Sequence, residues 1–499
     1  MKFLSKLFSR RILLALQLII TAFFGYVIYK LEMLPIKFFI PLIIIIVLIF
    51  LGLYVGQKNH DEKPVKSSIY KIISLLVSIA MIFGTLKVMQ GSDVLDMITG
   101  ANSQTIQMSV IVLKDSDDTT VYDLEGKIFG ACSSSDPINT NKTKAMIEDE
   151  IDTITLEDYD SLANTVKALY DSEIDAMILK EMERDLIDES YEGFDDKTKV
   201  IKTYEIKIAS AEANSAQVTQ EPFNIFICGT DQKGPISTAG LSDVNMICTV
   251  NPVTKQLYLT SIPRDYYVDI AGYNGKDKLT HSARGGLQCT METIENLLGI
   301  EFNYYVKMNF TSFMSIIDAL GGIEIDIPKY DTLYSDDGSF TTKIYKYEMK
   351  PGKMTMNSKQ ALAFVRERKS FVDGDKVRGQ NQQLMIKAVV KKICSPSIIT
   401  KLDGIFESVA ESLETNMSSS EIRSLINMQM DDMASWDVIS YHLNGTSERR
   451  LEFSTIAGAC PNPNGLFVMI PDETTVDKAK EYIDTVMKNE ILKIEEDGE

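Results

Sequence analysis

Residues 244–263 read VNMICTVNPVTKQLYLTSIP, and the apolar parts of this stretch are rich in β-branched and aromatic residues. Such runs predict β-strands. The same signal predicts two further strands, and apolar spacing of three and four predicts two helices. These four segments are FNIFICG (223–229), NYYVKMNF (303–310), TMETIENLLG (290–299) and TSFMSIIDALGG (311–322). We therefore predict an α/β domain over residues 221–490, with a central sheet flanked by helices.

The first 90 residues differ from the rest of the chain in charge and hydropathy. They carry 11 Lys and Arg against 3 Asp and Glu, a net charge of +8, whereas the whole chain has a formal net charge of −19. Three apolar runs begin at Ile12, Phe38 and Ile72, and with their flanks they reach the length that spans a bilayer. We predict a membrane anchor of three transmembrane helices over residues 1–90, because a cleaved signal peptide would account for the first run only.

Basic residues beside the three spans predict how the chain crosses the cell membrane. They are Lys2, Lys6, Arg10 and Arg11 before the first span, and Lys58, Lys63 and Lys66 between the second and third. The positive-inside rule then predicts that the large C-terminal part lies on the extracellular face. Its strongly acidic composition argues against nucleic acid as a partner, because a phosphate backbone requires a broad basic surface.

A second, smaller domain is predicted over residues 106–209, after a linker at 91–105. Its strand and helix signals alternate through MSVIVLK (108–114), KIFGACSS (127–134), residues 142–152, SLANTVKALYDS (161–172), DAMILK (175–180) and KVIKTYEIKIA (199–209). This order predicts a small α/β accessory domain and resembles part of a periplasmic-binding-protein-like domain. It contains no charged or aromatic cluster that identifies a ligand, so we expect it to act as a spacer or a partner-docking domain. The polar stretch 209–222 predicts the boundary to the next domain.

The six cysteines show no CxxC spacing, and two of them, Cys228 and Cys248, lie in strand-like apolar runs. We expect buried thiols; a disulfide between these two is the alternative.

Five arginines fall between residues 221 and 400, and they occupy only three short places. They are Arg264, Arg284, Arg366, Arg368 and Arg378. Each place follows an apolar strand or contains a glycine turn, where α/β folds position ligand-binding residues. If FVRER at 364–368 continues as a strand, Arg366 and Arg368 point to the same side. Several guanidinium groups on one side suit a diphosphate, and salt bridges with neighbouring carboxylates are the alternative.

Three carboxylates accompany the arginines. Asp231 ends the predicted strand in ICGTD, and a loop that folds back would bring Asp243 to the same hard cation. One or two carboxylates together with substrate phosphates are the usual ligands of Mg²⁺, although turn and helix-capping roles are the alternative for each residue. Asp375, in a Gly-Asp turn, is a candidate to orient Arg378. His281 either binds a phosphate or packs in the core, and His442 is expected near a surface turn.

These segments together resemble the LytR-CpsA-Psr family, in particular its capsule-type branch with three membrane spans and an accessory domain. The matching segments run in family order over residues 223–395: FNIFICGTD, SDVNMICTVNPVTKQLYLTSIPRDYYV, KDKLTHSARGG, NYYVKMNFTSFMSIIDALGGIEIDIP and QALAFVRERKSFVDGDKVRGQNQQ. The resemblance implies a phosphotransferase of the peptidoglycan-ligase type that depends on Mg²⁺ (or Mn²⁺). Such an enzyme moves a glycopolymer from undecaprenyl diphosphate to a peptidoglycan hydroxyl, forming a phosphodiester link in cell-wall or capsule assembly. Expected partners are the lipid-linked polymer, peptidoglycan, membrane lipid and polysaccharide-assembly proteins.

The resemblance also implies roles for individual residues. Asp231 and Asp243 match metal-binding carboxylates. The residues implied in diphosphate binding are Arg264, Lys278, Arg366, Arg368, Arg378 and either Gln382 or Gln383. Phosphoryl transfer itself also requires a base to position or deprotonate the hydroxyl, for which either Asp231 or Asp375 is the candidate, so the catalytic candidates are Asp231, Arg264, Arg378 and Asp375. Leu241 and Asn381 depart from the family pattern, because many members carry arginine at these two positions. Lys233 is the candidate to supply the missing contact.

The prenyl chain requires an apolar pocket, for which the apolar faces of residues 311–320 and 384–394 are candidates, with core packing as their alternative use. Two other functions use the same residues. One is hydrolysis of the lipid diphosphate, and the other is non-enzymatic binding of lipid-linked polymer to regulate its assembly. Product analysis separates the first from transfer, and binding without turnover would indicate the second.

Overall fold

The computed structural model describes residues 9–32, 34–58, 64–99, 103–133, 136–184, 187, 191, 193–230, 235–393, 395, 402–454 and 464–494, without the side chains of residues 64, 375, 402 and 403. Contacts divide the chain into two units. The first comprises Met1–Thr99, Cys394–Ala410 and Met417–Ser435, and the second comprises Gly100–Ile393, Glu411–Asn416 and Trp436–Glu499.

The first unit contains three helices that are long and apolar enough to cross a membrane: Arg10–Lys30, Ile36–Gly56 and Val65–Thr99. This confirms the three predicted apolar helices. The third helix continues through residues 91–99, which we expected to be a linker, because Leu95 and Ile98 continue its apolar face and are buried.

Two helices from the C-terminal half, Leu402–Val409 and Ser419–Asp432, pack against the third apolar helix. The hydroxyl of Ser419 donates to the Asp96 carboxylate over 2.6 Å and lies 2.8 Å from the Thr99 hydroxyl. Segments 394–410 and 417–435, which the predicted boundary of 221–490 included in the large domain, therefore group with the N-terminal helices.

The second unit begins with the accessory domain, a sheet of mixed direction with strand order β3-β2-β4-β1-β5. The strands are β1 Ser103–Leu113, β2 Ile128–Ala131, β3 Thr155–Asp158, β4 Ala176–Lys180 and β5 Thr198–Ala209. The helices between them are Pro137–Glu148, Leu162–Tyr170 and Phe194–Lys197, with shorter 3-10 helices at Val121–Leu124 and Glu181–Glu183. Asp136 and Ser161 cap the first two helices by accepting hydrogen bonds from the backbone three residues further on.

The large domain contains a sheet with strand order β16-β11-β6-β7-β8-β17. These strands are β6 Phe223–Thr230, β7 Val244–Asn251, β8 Gln256–Ile262, β11 Tyr304–Asn309, β16 Leu413–Thr415 and β17 Asp437–His442. Strands β6 and β11 are parallel, as are β8 and β17, whereas β7 is antiparallel to both of its neighbours. The four strands predicted from the sequence, including both in the opening stretch, are all present.

Helices cover both faces of this sheet, as predicted. Phe226 and Tyr305 join helices Leu287–Leu298 and Glu473–Met487 in the main core. Ile227 and Met308, which alternate with them along β6 and β11, face residues of two helices on the opposite side. The helices on that opposite side are Phe310–Ala319 and Gly374–Ile393, and helix Ser358–Arg366 precedes the second of them.

Smaller elements complete the second unit. They are β9 Tyr267–Asp269, β10 Lys276–Lys278, the 3-10 helix Leu279–Gly285, β12 Ile323–Ile327, β13 Phe340–Thr341, β14 Glu348–Met349, β15 Gly352–Met356, β18 Gly445–Arg450 and β19 Leu466–Pro471. Cys228 and Cys248 are buried thiols, as expected. Register places Cys228 opposite Asn245 and Cys248 opposite Ile225, so the alternative disulfide is not formed.

Candidate functional site

Three adjoining cavities lie at the carboxyl ends of the parallel strands β6 and β11, the edge where open α/β sheets bind ligands. We name them the cationic cavity, of about 590 Å³, the apolar cavity, of about 80 Å³, and the inner cavity, of about 170 Å³. Asp243, Val244 and Gln382 line all three. These residues therefore mark the junction of the site.

Basic side chains dominate the cationic cavity. They are Arg264, Lys343, Arg366, Arg368, Lys369 and Arg378, against the carboxylates of Asp243 and Glu367. Glu367 is buried, and its carboxylate accepts hydrogen bonds from the backbone N–H of Lys343 and from the N–H and hydroxyl of Ser370. The cavity therefore carries an excess of positive charge suited to a multiply charged anion.

Arg366 and Arg368 line the same cavity, but not as two residues of a strand. Asn357 and Gln360 form a capping box that begins helix Ser358–Arg366, and this helix ends at Arg366. The strand interpretation of FVRER was therefore wrong. Glu367 adopts extended backbone angles and turns into the interior, which leaves the arginines on either side of it facing the cavity.

Two close contacts fix this arginine segment. The Arg366 guanidinium lies 4.2 Å from the centroid of the Phe310 ring, a cation–π contact that restrains its long side chain. A Cβ atom on Gly374 would lie 2.0 Å from the Arg368 carbonyl oxygen. Glycine at this position therefore lets helix Gly374–Ile393 begin directly against the backbone of Arg368.

Asp243 and Arg264 form an ion pair at the centre of the site. The N–H of Asp243 donates to the Gly229 carbonyl over 2.8 Å. The neighbouring Ser242 hydroxyl donates to the Asn245 side chain over 2.7 Å. These bonds hold the start of β7, and with it the carboxylate of Asp243, at the end of β6.

The Asp265 carboxylate forms ion pairs with two basic side chains, those of Arg264 and Lys278. It is 3.6 Å from Arg264 Nε and 3.1 Å from Lys278 Nζ. Lys278, which the family resemblance implied in diphosphate binding, is not among the residues that line the three cavities, but it pairs with Asp265, which lines the inner cavity. Asp265 is a residue that sequence reasoning missed, although it directly follows Arg264 in SIPRDYY.

Helix Gly374–Ile393 contributes Arg378 and Gln382, which are four residues apart and so share one face. Gln383 is buried and donates to the carbonyl of Tyr441 instead. Asn381 donates to the Phe364 carbonyl over 3.2 Å. The structure therefore places Gln382 rather than Gln383 at the site, and it gives Asn381 a packing role at a position where many family members carry arginine.

The structure places His442 at the site and His281 away from it. His442 ends β17 and lines the inner cavity with Lys376 and Asp373. Burial, and secondarily the charge of Lys376, lowers its pKa to about 4. His442 is the last residue of β17, directly before the short connection that contains the exposed Asn444, which agrees with the expected position near a surface turn. Pairing of β17 with β8 also brings it to the sheet edge at the site.

His281 takes the packing alternative. It is buried, and its Nδ1 atom lies 2.6 Å from Asp277 Oδ1. Burial, helped by the charge of Arg284, lowers its pKa to about 4, so the neutral ring donates its Nδ1 proton to the Asp277 carboxylate near neutral pH. Arg284 is also buried and lines none of the three cavities, so only four of the five clustered arginines belong to the site.

The positions of three predicted site side chains relative to the cavities lie outside what the structure describes. Asp231 and Lys233 lie outside the described residues, as does the side chain of Asp375, whose backbone belongs to helix Gly374–Ile393. Thr230, which immediately precedes Asp231, lines the apolar cavity. Within the described residues, no group of three or more His, Cys, Asp and Glu side chains can share a metal ion. The described donor set, Asp243 beside a basic cavity, fits a Mg²⁺ held largely by substrate phosphates.

The apolar cavity opens beside Arg366, Asp243 and Gln382. Its apolar lining comprises Ile227, Val244, Met308, Phe310, Phe313, Val365, Met385 and Ile386. Both predicted apolar faces contribute, through Phe313 and through Met385 with Ile386. Its volume of about 80 Å³ is small beside the 590 Å³ of the cationic cavity, so a long prenyl chain would have to widen it or continue outside.

Lys343 and Phe310 were also missed from the sequence. Lys343 lies in a loop between β13 and β14, where the sequence carries no motif that marks a site residue. Phe310 is the first residue of helix Phe310–Ala319, whereas the sequence placed it at the end of the predicted strand 303–310.

A further cavity, of about 630 Å³, lies at the opposite end of β6 and β11, where it contacts Asn224 and Asn303. Its charged lining consists of Glu221, Glu301, Glu481 and Asp484 against Lys480. This acidic surface does not suit a diphosphate.

Comparison with known proteins identifies the family of the large domain. The sequence model of the LytR_cpsA_psr family matches residues 188–483. The polyisoprenyl-teichoic acid–peptidoglycan teichoic acid transferase TagU of Bacillus subtilis (strain 168) is 32% identical over 271 residues, which cover 54% of this chain and 79% of the relative. TagU of Enterococcus faecalis is 33% identical over 227 residues, covering 45% and 71%. The crystal structure of B. subtilis TagV matches with a TM-score of 0.44 and 28% identity, over 54% of this chain and 98% of that one.

Proposed function

This chain belongs to the LytR-CpsA-Psr family, and we propose that it transfers a glycopolymer from a polyprenyl-diphosphate carrier to a hydroxyl of peptidoglycan. The observation that carries the proposal is the junction of the apolar and cationic cavities at Asp243, Arg366 and Gln382. An apolar pocket that opens onto clustered arginines matches a ligand with a prenyl chain on one side of a diphosphate and a sugar on the other.

The proposed reaction is a phosphoryl transfer. The acceptor hydroxyl oxygen attacks the phosphorus that carries the polymer and forms a new P–O bond. The bond from that phosphorus to the bridging oxygen breaks, polyprenyl phosphate leaves, and the hydroxyl proton passes to a base. Phosphoryl transfer depends mainly on positioning and charge stabilisation, which the guanidinium groups of Arg264, Arg366 and Arg378 are placed to supply.

We propose Mg²⁺, or Mn²⁺, as the cofactor. Asp243 would hold the cation together with substrate phosphates, with Asp231 as the second carboxylate that the family resemblance implies. When bound, a divalent cation neutralises charge on the diphosphate. The ion pair with Arg264 keeps the Asp243 carboxylate directed at the junction of the three cavities.

The three apolar helices are long and apolar enough to cross a membrane, and they support a membrane anchor for the chain. A membrane is also where a polyprenyl carrier resides. Basic residues beside the spans support an extracellular position for the large domain. This is the side of the membrane on which peptidoglycan is found. We propose a wall glycopolymer or capsule polysaccharide as the cargo, with polysaccharide-assembly proteins as further partners.

The test uses the detergent-solubilised full chain with a prenyl-diphosphate-linked oligosaccharide, a peptidoglycan fragment and Mg²⁺, followed by mass spectrometry. A sugar–phosphate–peptidoglycan adduct is the expected product. Arg378→Gln should abolish its formation and leave the circular dichroism spectrum unchanged, whereas Arg450→Met, which removes a surface pair with Glu448, should retain it.

Two results would contradict the proposal. Free sugar phosphate without an adduct would indicate a lipid-diphosphate hydrolase. Tight binding of the lipid without turnover would indicate a non-enzymatic regulator of polymer assembly.

A further inference from the structure

We propose that the accessory domain positions the active site, because its contacts hold the ion pair between Asp243 and Arg264 in place. Three separate connections run from this domain to the two residues of the pair. The proposal rests on the proposed function for its turnover assay, but its structural part is tested without turnover.

The accessory domain shares a hydrophobic core with the large domain. Ile111, Leu169 and Phe194 of the accessory domain are buried in one cluster with Leu466 and Val468 of β19. A domain that served only as a spacer would bury its own core separately. The shared core therefore predicts that the two domains fold and move as one body.

The first connection reaches Asp243. The N–H of Thr105, at the start of β1, donates to the Ser237 carbonyl, and the N–H of Ala239 donates to the Thr105 carbonyl, each over 2.8 Å. Lys307 Nζ donates to the Thr238 carbonyl from the large domain over 2.9 Å. This loop leads directly to Asp243, so the accessory strand fixes the path by which the carboxylate enters the site.

The second connection reaches the segment that carries Lys278. Lys180, at the end of β4, is 4% exposed and donates to the Arg284 carbonyl over 2.8 Å while pairing with Asp136 over 2.6 Å. Arg284 lies in the 3-10 helix Leu279–Gly285, which follows Lys278 directly. Lys278 in turn pairs with Asp265, the carboxylate beside Arg264.

The third connection reaches Asp265 through the backbone. Val468 is buried in the shared core, and the next residue, Met469, donates its N–H to the Asp265 carbonyl over 2.8 Å. Asp265 is therefore held by the strand that packs into the accessory domain. Both residues of the ion pair depend on contacts that the accessory domain makes.

Such support matters because catalysis requires the reacting groups to be held within a narrow range of positions. A misplacement of about 1 Å at a reacting centre can cost on the order of 100-fold in rate. Loss of the accessory contacts should therefore weaken diphosphate binding and slow turnover, although the bonds made by Thr105 and Lys180 involve no residue that lines the three cavities.

Two variants test the inference independently. Thr105→Pro removes the N–H that bonds to Ser237, and Lys180→Met removes the amine that bonds to the Arg284 carbonyl. The matched control is Lys202→Met, which breaks the ion pair with Glu150 inside the same domain. If Lys180→Met fails to fold because the Asp136 carboxylate loses its ion-pair partner, the result with Thr105→Pro decides whether the inference holds.

The measurements are hydrogen–deuterium exchange of residues 235–243 for Thr105→Pro and of residues 279–285 for Lys180→Met, the Kd for a polyprenyl diphosphate without polymer, and kcat/KM for transfer. We expect exchange in the segment that each variant releases to accelerate about tenfold. We also expect kcat/KM to fall by about 10- to 100-fold, with a higher Kd. The control variant should match the wild type in all three measurements.

A loss of folded protein alone would lower kcat without changing Kd, so the binding constant separates positioning from a purely structural role. Folded variants with unchanged exchange, or with faster exchange and unchanged Kd, would overturn the inference. If the wild type shows no transfer, the proposed function fails, and exchange and Kd still decide this inference.

Discussion

Arg264→Met removes one guanidinium group from the cationic cavity while keeping an unbranched side chain in its place. The Arg264 side chain is 33% exposed, pairs with Asp243, and lies 3.6 Å from the Asp265 carboxylate. Its position between two carboxylates means that the substitution changes both the charge of the cavity and the restraint on Asp243.

The magnitude follows from the kind of contact that is lost. A hydrogen bond to a charged group contributes about 1.5–3 kcal/mol. If Arg264 makes one such contact with the diphosphate in the transition state, kcat/KM falls by roughly 10- to 150-fold, since about 1.4 kcal/mol corresponds to a factor of ten. Arg264→Lys keeps the charge but not the planar fork, so its loss should be smaller.

The assay is steady-state transfer from a prenyl-diphosphate oligosaccharide to a peptidoglycan fragment, with kcat/KM taken at low donor concentration. Arg450→Met serves as the control, because its ion pair with Glu448 lies on the surface. Transfer by Arg264→Met at the wild-type rate would refute the placement of the diphosphate in the cationic cavity. Equal losses in Arg264→Lys and Arg264→Met would refute the charge argument.

Three further predictions concern the apolar cavity, the packing of the site and the buried His281. Phe313→Trp should fill the apolar cavity and raise KM for a long-chain prenyl donor by roughly tenfold, as expected for a changed fit in an apolar pocket. The Kd of inorganic diphosphate, which has no chain, should not change. Gly379→Ala places a Cβ atom 2.7 Å from His442 Cε1, so thermal unfolding should show a loss of about 1–3 kcal/mol. Gly404→Ala, where a Cβ meets no atom within 4 Å, should show no such loss, and equal stability of the two variants would contradict the packing account. His281 has a pKa of about 4 when folded and about 6.5 when unfolded. The unfolded state therefore binds more protons between these pH values, and stability should fall by about 2–3 kcal/mol as the pH drops from 6.5 to 4. Denaturant unfolding of His281→Gln should lack this part of the pH dependence; an unchanged slope would show that His281 is not buried in its neutral form.

Much of the fold could be predicted from the sequence because its signals are local. Helices are predicted by the apolar runs of the first 90 residues, and strands by the β-branched runs of β6, β7, β8 and β11, without reference to the rest of the chain. The extension of the third apolar helix to Thr99 was missed because Gly91, Ser92, Asp93 and Asp96 interrupt the apolar run, although Leu95 and Ile98 form one buried face. That face is buried by helices from distant parts of the chain, which no local pattern reports.

The candidate site was only partly predictable, for the same physical reason. Arg264, Arg366, Arg368 and Arg378 stood out by clustering, and the structure brings all four to one cavity. Arg284 clustered equally well in sequence but faces the accessory domain, where its carbonyl accepts a hydrogen bond from Lys180. Amino-acid composition cannot distinguish an arginine that lines the site from one that faces the accessory domain. The direction of each side chain depends on tertiary contacts, which a local stretch of sequence does not reveal.

Lys343 and His442 show the converse problem. Neither belongs to a cluster of arginines or to a recognisable motif, and each reaches the site through pairing of short strands. Asp265 was the one missed residue with a usable signal, because a carboxylate next to a ligand-binding arginine is a common means of holding the guanidinium.

The most direct test of the central claim is to run the reaction of the full chain in ¹⁸O-labelled water and to follow the phosphorus by mass spectrometry. Transfer forms the new P–O bond with a peptidoglycan oxygen, so the account predicts a sugar–phosphate–peptidoglycan adduct without ¹⁸O in its phosphate. Sugar phosphate that carries one ¹⁸O atom, formed at the expense of the adduct, would show that water is the acceptor and would contradict the account.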